Sequence, residues 1–325
     1  MEDSFEVGVV CLTFNQVDYI AQCLESLVGQ KTDFKYRVIV HDDASTDGTS
    51  DIARDFAARY PEKVVAIIQE KNVYSRGLSL LSFTAEYTHG CKYLAICEGD
   101  DWWESNSKLQ RQYEYMENHP GCSACVHNVR YYDESKQRYV GVTPGCSEDR
   151  DYSLDEIIVG GGGLFGSNSF FYKVADSNMP DTYKGWGVGD YPRAIWLGSR
   201  GVVHCLKDEL SSYRINAKGS WTSRHGSDPK LAKQTNDKII AGLMKADEAL
   251  SFSHHEAFMT AVQRQKDDTL WVEINAGYKA GGNRVKPGDI DDPAGFISRQ
   301  PFRLKLAAIV KLYFPFVNRL RLLVR

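Results

Sequence analysis

The sequence predicts an α/β fold, a doubly wound and mostly parallel sheet with a helical C-terminal appendage. Three observations carry that expectation. Apolar runs at 7–12, 36–40, 63–68 and 93–97 have the length and Val/Ile/Leu character of buried parallel strands. The segments between them read as helices, and strands alternating with helices of this length form parallel sheets. Polar or aromatic groups (Phe14, Asp43, Asp100) stand at three strand ends, and ligands of such sheets bind beyond the carboxyl ends of the strands.

Taken in order, the strand at 7–12 closes on Thr13-Phe14-Asn15. Residues 17–28 then place Ile20, Leu24, Leu27 and Val28 on one helical face. The strand at 36–40 runs into His41-Asp42-Asp43-Ala44-Ser45-Thr46-Asp47-Gly48-Thr49. A helix is expected over 49–60, a strand over 63–68 and a helix over 78–88. The strand at 93–97 meets Glu98-Gly99-Asp100-Asp101-Trp102-Trp103. Residues 108–118 read as a helix, 122–132 as a strand and the polar stretch 133–151 as a loop. Gly160-Gly161-Gly162-Gly163 lacks the Lys-Ser/Thr of a P-loop and is no G-x-G-x-x-G fingerprint. It reads either as a flexible loop over an acceptor or as a linker, ahead of a strand at 167–172. A further strand is expected at 201–206, with His204 as a structural histidine, and residues 229–281 read as helical.

Composition limits the possibilities. The 325 residues allow one large domain or two smaller ones, and 42% hydrophobic content suits a soluble globular chain. The eight cysteines are scattered, and Cys122-x-x-Cys125 lacks the second ligand pair of a zinc site. This fits a reducing cytosol. Glu2-Asp3-Ser4 is acidic where a secretory leader is basic, which supports the same expectation. The net charge is −4, yet from Pro293 onward there are seven Lys/Arg and no Asp/Glu. The acidic remainder argues against a general nucleic-acid binder and leaves the basic tail a local role.

The turn at 98–101 carries the strongest chemical signal. Three carboxylates within four residues at the end of a buried strand repel one another unless a cation neutralises them. Oxygen ligands with no His or thiolate nearby suit Mg2+ or Mn2+, shared with substrate phosphates. The plainer reading is a solvated acidic turn before a helix.

Residues 9–15, the Asp42-Asp43-x-Ser45-x-Asp47-Gly48-Thr49 run and Glu98-Gly99-Asp100-Asp101 resemble, in order and spacing, the family 2 glycosyltransferases of GT-A fold. The close resemblance covers about the first 110 residues and is lost after about 225. It implies an inverting transfer from a nucleotide sugar, a UDP-sugar foremost, to a glycan or lipid-linked saccharide, with Mg2+ or Mn2+. Residue by residue, it makes Phe14 the aromatic that stacks on the donor base and Asp43 the carboxylate at the base edge. Glu98-Gly99-Asp100 matches the D-x-D motif with Glu in the first place, so Glu98 is expected at the ribose or a metal-bound water. Asp100 is the expected metal ligand, with Asp101 too close to separate from it. Asp190 matches the general base. In the family an acidic pair stands there, and here Gly189 replaces the first acid. A helix N-cap is the competing role for Asp190. Trp186 is expected either to line the sugar pocket or to pack in the core. Arg214 is the expected diphosphate partner, because its planar fork matches phosphate oxygens; Arg76 and His225 are weaker candidates.

The expected organisation is a catalytic domain at 1–225, a helical appendage at 226–290 and a basic amphipathic tail at 291–325. The tail alternates apolar residues with Lys/Arg, is divided by Pro315 and is too interrupted to span a bilayer. Residues 300–325 are therefore expected to lie on an anionic membrane, the inner face of the plasma membrane, or else to complete the core or form an oligomer contact. Two rival functions stand beside the main one. A non-catalytic nucleotide-sugar or glycan-binding protein fits the missing acid before Asp190. A sugar nucleotidyltransferase would need a Gly-rich basic loop after the first strand, which Thr13-Phe14-Asn15-Gln16 does not supply.

Overall fold

A computed structural model describes residues 5–74, 83–218, 220, 228–280 and 285–314. Arg76, His225 and residues 315–325 lie outside them. The strands are β1 (Val7–Thr13), β2 (Tyr36–Asp42), β3 (Val64–Ile68), β4 (Tyr93–Glu98), β5 (Trp102–Trp103), β6 (Cys122–Asp133), β7 (Arg138–Val142), β8 (Arg150–Tyr152), β9 (Phe171–Lys173) and β10 (Val202–Ile215). The helices are α1 (Ile20–Val28), α2 (Thr49–Arg59), α3 (Ala85–Thr88), α4 (Lys108–Asn118), α5 (Leu154–Gly160), α6 (Asp190–Arg200), α7 (Pro229–Ala249), α8 (His255–Ala280), α9 (Pro293–Arg299) and α10 (Phe302–Tyr313).

The sheet has the order β3-β2-β1-β4-β9-β6-β10-β5, with β7 on β6 and β8 on β10. β3, β2, β1 and β4 are mutually parallel, and β9 is inserted antiparallel between β4 and β6. The chain goes outward from β1 through β2 and β3, then returns to build on β1's other side through β4. The crevice beyond β1 and β4 is thus the point where the winding reverses, the usual ligand position in such sheets.

The two-residue period of the strands divides the core into two layers. Val9, Cys11, Ala95 and Cys97 face α1, α2 and α4. Val10, Leu94 and Ile96 face the layer built by α5, α6, α7 and α8. In the same alternation, Glu98 follows Leu94 and Ile96 onto the side of α6, the helix that begins with Asp190. α1 buries Ile20, Cys23, Leu24 and Leu27, an i, i+3, i+4, i+7 stripe. All eight cysteines are free and buried. Among the described residues no helix is long and apolar enough to cross a membrane.

Several boundaries differ from those expected. The stretch 133–151 is not a plain loop: Gln137 takes a left-handed φ of 51° and turns the chain so that β7 pairs back on β6. The strand expected at 201–206 continues to Ile215, through register shifts at Leu206/Glu209 and Glu209/Ser211. Those irregularities absorb the charged Lys207-Asp208-Glu209, which in sequence reads as a strand end. The strand expected at 167–172 starts only at Phe171, after a 3-10 turn over Ser167–Ser169. The segment expected to be helical over 229–281 is two helices, with Ser251 and Phe252 at positive φ in the connection. Of the helix expected at 78–88, the described residues are a 3-10 turn at 83–84 followed by α3.

Candidate active site

The first wall of the site is the loop after β1. Phe14 is 44% exposed there although it follows a strand whose apolar residues are buried, Leu12 alone being half-buried. The Asp42-to-Thr49 run braces this loop. The backbone N–H groups of Asn15, Gln16 and Val17 donate to Ser45 Oγ (2.8 Å), Thr49 Oγ1 (2.8 Å) and Asp47 Oδ2 (3.0 Å). Asp47 also accepts from the Thr49 N–H at 3.0 Å and hydroxyl at 2.6 Å. Although burial pulls it upward, these bonds hold the Asp47 carboxyl below the usual carboxylate range. Asp42 accepts from Ser45 and Ser50. Much of the motif therefore positions Phe14 rather than touching a ligand. Asp43 is buried, and its carboxylate accepts from the N–H groups of Val73 (2.6 Å) and Tyr74 (3.1 Å).

The second wall is the turn after β4. The Gly99 N–H donates to Leu12 O at 2.8 Å, drawing the turn against β1. A Cβ on Gly99 would lie 2.5 Å from Gln16 Oε1 and 2.7 Å from Thr13 Oγ1, so only glycine fits this approach. Gly99→Ala is expected to cost about 1–3 kcal/mol by overpacking and to weaken nucleotide binding by displacing Gln16. Urea midpoints and calorimetric titration with UDP check both effects, and an unchanged midpoint contradicts the close approach.

The structure separates the two aspartates that sequence could not. Asp101 is 1% exposed, and its oxygens accept from the Arg214 N–H and from Asn168 Nδ2, each at 2.9 Å. Asn168 also donates to Ser212 O at 2.9 Å and accepts from Ser211 Oγ at 2.8 Å. Asp101 thus ties the turn to β10, and burial first, then the charges of Asp100 and Glu98, push its carboxyl well up. Asp100 instead lies near the Gln16 side chain. Burial raises its carboxyl, opposed by backbone hydrogen bonding and the Arg214 charge.

Arg214, expected at the diphosphate, is 6% exposed and turned inward. Its Nε donates to Asp100 O at 2.8 Å, Nη1 to Glu134, and Nη2 to Gln22 Oε1 at 2.6 Å. The guanidinium lies over Tyr19 and Trp102 at 4.7 and 4.6 Å. It anchors the acidic turn from below. The Ser211 and Ser212 hydroxyls are likewise spent inside the protein, on Asn168 and Glu104.

Glu98 and Asp190 come together from β4 and α6. Burial pushes the Glu98 carboxyl up to about 7. A hydrogen bond from Ser167 opposes the rise, and the charges of Asp100 and Asp190 add to it. Glu98 Oε2 is buried with no hydrogen-bond partner. Asp190 opens α6 and accepts the Tyr191 N–H at 2.7 Å. Burial pushes its carboxyl up to about 6, against that hydrogen bond and the nearby Arg193 charge. Gly162 lies directly against it: a Cβ there would be 3.6 Å from Asp190 Oδ1. The glycine run therefore packs on Asp190, with Gly161 at φ 74°, and Arg264 of α8 holds the preceding turn through Val159 O (3.0 Å) and Gly160 O (2.9 Å).

Trp186 is a correction on the pocket side. It is 1% exposed and packs against Tyr191 and Tyr183. It also lies so close to Gly242 that a Cβ there would be 2.2 Å from the ring. It is a core residue that joins α7 to the sheet layer. His204 is structural as expected: it bonds to Asp151 at 2.7 Å and stacks on Tyr115 at 3.7 Å. Sequence reasoning missed Gln16, Asn168, Ser167 and Glu134. Each acts through a partner far away in the chain and belongs to no local pattern.

The carboxylates test whether a divalent cation fits. Among the described residues no three His, Cys, Asp or Glu side chains converge as a ready-made metal cage. Asp100 would offer one hard oxygen ligand, with the orphaned Glu98 Oε2 close by. That donor set suits Mg2+ or Mn2+, which bind through one or two carboxylates plus substrate phosphates.

Known proteins share this fold and part of this sequence. The S. aureus protein TarS, solved in complex with UDP, superposes with a TM-score of 0.52 at 16% identity, covering 94% of this chain and 78% of that one. The mannosyltransferase PcManGT from Pyrobaculum calidifontis, solved with GDP-Man and Mn2+, gives 0.50 at 17%, covering 98% and 87%. These likenesses show the GT-A fold. In sequence, the uncharacterized protein Rv1520 of Mycobacterium tuberculosis is 31% identical over 258 residues, 77% of this chain and 70% of that protein. The poly(ribitol-phosphate) beta-glucosyltransferase of Bacillus spizizenii is 33% identical over 108 residues, 32% of this chain and 16% of that enzyme. The family model for glycosyl transferase family 2 matches residues 9–176, which include Phe14, Asp43 and the turn at Glu98–Asp101. With more than half its length matched, the chain belongs to glycosyl transferase family 2.

Proposed function

We propose that this glycosyltransferase moves a sugar from a nucleotide-diphosphate sugar, a UDP-sugar foremost, to a hydroxyl of a glycan or lipid-linked saccharide, with inversion. One observation carries the reading: Asp190, a half-buried carboxylate of raised pKa at the start of α6, faces the acidic turn of β4 across the crevice where the winding reverses. TarS bound to UDP and PcManGT bound to GDP-Man support a nucleotide-sugar donor.

In this reading Phe14 stacks on the base. Asp43 accepts a base N–H on a lone pair left over from Val73 and Tyr74. Asp100 faces the diphosphate, held in place by Gln16 and by Arg214 beneath it. Asp190 takes the proton from the acceptor hydroxyl as that oxygen bonds to the anomeric carbon. The bond from that carbon to the diphosphate breaks, and the electron pair leaves with the nucleoside diphosphate. Attack from the face opposite the leaving group inverts the centre. Asp100, with Glu98 beside it, would hold a Mg2+ or Mn2+ ion, which would supply charge neutralisation at the diphosphate. The chain's own share is positioning and electrostatics. The catalytic domain is placed at 1–225, with the helices of 226–290 steadying the glycine run through Arg264, and the reaction is placed in the cytoplasm.

Incubation with a panel of nucleotide-diphosphate sugars and Mg2+ or Mn2+ tests the reading. Slow release of nucleoside diphosphate from one donor, faster on adding acceptor saccharides, is expected. Binding of nucleotide sugars with no turnover of any would favour a glycan- or nucleotide-sugar-binding protein and overturn it.

A further inference from the structure

α10 has two apolar faces. Ala308 and Leu312, an i, i+4 pair, are buried against Ile274 and Phe296, with Trp271 and Leu270 packed around them. That contact uses the helix as an ordinary amphipathic element. At 100° per residue, however, Phe302, Leu306, Ile309 and Tyr313 fall within an arc of about 60° on another face. Phe302 is 88% exposed, Leu306 67% and Tyr313 46%. Such a stripe extends for about 16 Å along the helix. Isolated exposed apolar residues are ordinary, but an aligned run on an already anchored helix marks an interaction surface.

Charge identifies what covers it. Arg303 and Lys305 occupy positions flanking the stripe, and from Pro293 to the end of the chain seven Lys/Arg stand without one acidic residue. Arg299 is already paired with Asp267, and Lys311 bonds to Asn275 while lying over Trp271 at 4.8 Å. Of the basic residues left over, Arg303 and Lys305 hold helix positions on either side of the apolar stripe. A second copy would bring the same basic helix against itself and be repelled. An anionic bilayer surface matches both features, taking the apolar stripe into the acyl boundary and the flanking charges at the headgroups. The helix spans about 18 Å against a hydrocarbon core of about 30 Å, so it lies on the membrane rather than through it.

We propose that α10 docks the enzyme peripherally on an anionic membrane through Phe302, Leu306, Ile309 and Tyr313. This goes beyond the transfer reaction and does not depend on it. The experiment uses the full chain and extruded vesicles, one set of phosphatidylcholine alone and one of phosphatidylcholine mixed with phosphatidylglycerol. Sedimentation with the mixed vesicles at low salt is expected, weakening as salt rises and the screening length shrinks. Phe302→Ser with Leu306→Ser should lower partitioning at least about tenfold, as expected when buried apolar area is lost. Phe252→Ser, at a 57% exposed position outside α10, should leave it unchanged. Circular dichroism and UDP titration confirm that each variant is folded. Failure of the parent to sediment with the mixed vesicles, or undiminished binding by the double variant, overturns the proposal. So does a dimer, seen by analytical ultracentrifugation, that the double variant abolishes while vesicles are ignored.

Discussion

Asp190→Asn should retain donor binding and lose transfer, by about 10²–10⁴-fold, the usual contribution of a general base. The amide is close in size and can still accept the Tyr191 N–H that Asp190 accepts at 2.7 Å. The start of α6 should therefore survive, and the role as helix start is separated from the role as base. What the amide lacks is the ability to accept the acceptor hydroxyl's proton. Burial supplies a second signature. With its carboxyl pushed up to about 6, Asp190 is protonated below that pH and unable to act as base, so kcat should rise through pH 6 and level off above it.

The same burial fixes the sign of the stability effect. A carboxyl whose folded pKa lies above 3.8 keeps its proton longer in the folded state, so stability is lost as pH rises from about 4 through 6. Asp190→Asn removes that loss and should be at least as stable as the parent at pH 7. Calorimetric donor binding, initial rates across pH 5–8 and thermal melts read these effects. Transfer within a few-fold of the parent, with the acid limb intact, would return Asp190 to a helix-start role.

How far the site could be read in the sequence follows the range of the contacts. The position of Phe14, Asp43 and Asp100 at strand ends was legible because each follows an apolar run, and strand ends are visible locally. The side to which Glu98 points follows from alternation along β4. The separation of Asp100 from Asp101 was not legible. It depends on Asn168 and the Arg214 N–H, 67 and 113 residues away. Arg214 was found but misplaced for the same reason: its partners Gln22 and Glu134 lie 192 and 80 residues off. The long β10 was hidden by the charged residues in its irregular stretch, and the core position of Trp186 by the small Gly242 that makes room for it. The parallel sheet, by contrast, is written in continuous apolar runs that no distant contact alters.

Asp100→Ala should abolish metal-dependent binding of nucleoside diphosphate while leaving the fold intact. The turn keeps its other anchors. Gly99 still donates to Leu12 O, Asp101 still accepts from Asn168 and the Arg214 N–H, and Arg214 Nε still reaches the main-chain carbonyl of residue 100. The lost carboxylate is the one not tied into β10, and it shares the turn with Glu98 and Asp101. Without a cation those charges repel in a buried setting, and burial holds the Asp100 carboxyl above its ordinary value. By linkage, a raised carboxyl takes stability from the folded state as pH climbs past 3.8. Removing it should therefore leave the metal-free melting temperature level or higher at pH 7. The parent should gain stability when Mn2+ and UDP are added together, by RT ln(1 + [L]/Kd), and the variant should gain none. Thermal melts with and without Mn2+ and UDP read both halves at once. A variant that still gains the parent's full increment would exclude Asp100 as the ligand. A variant that melts far below the parent without metal would show that the carboxylate supports the turn instead of straining it.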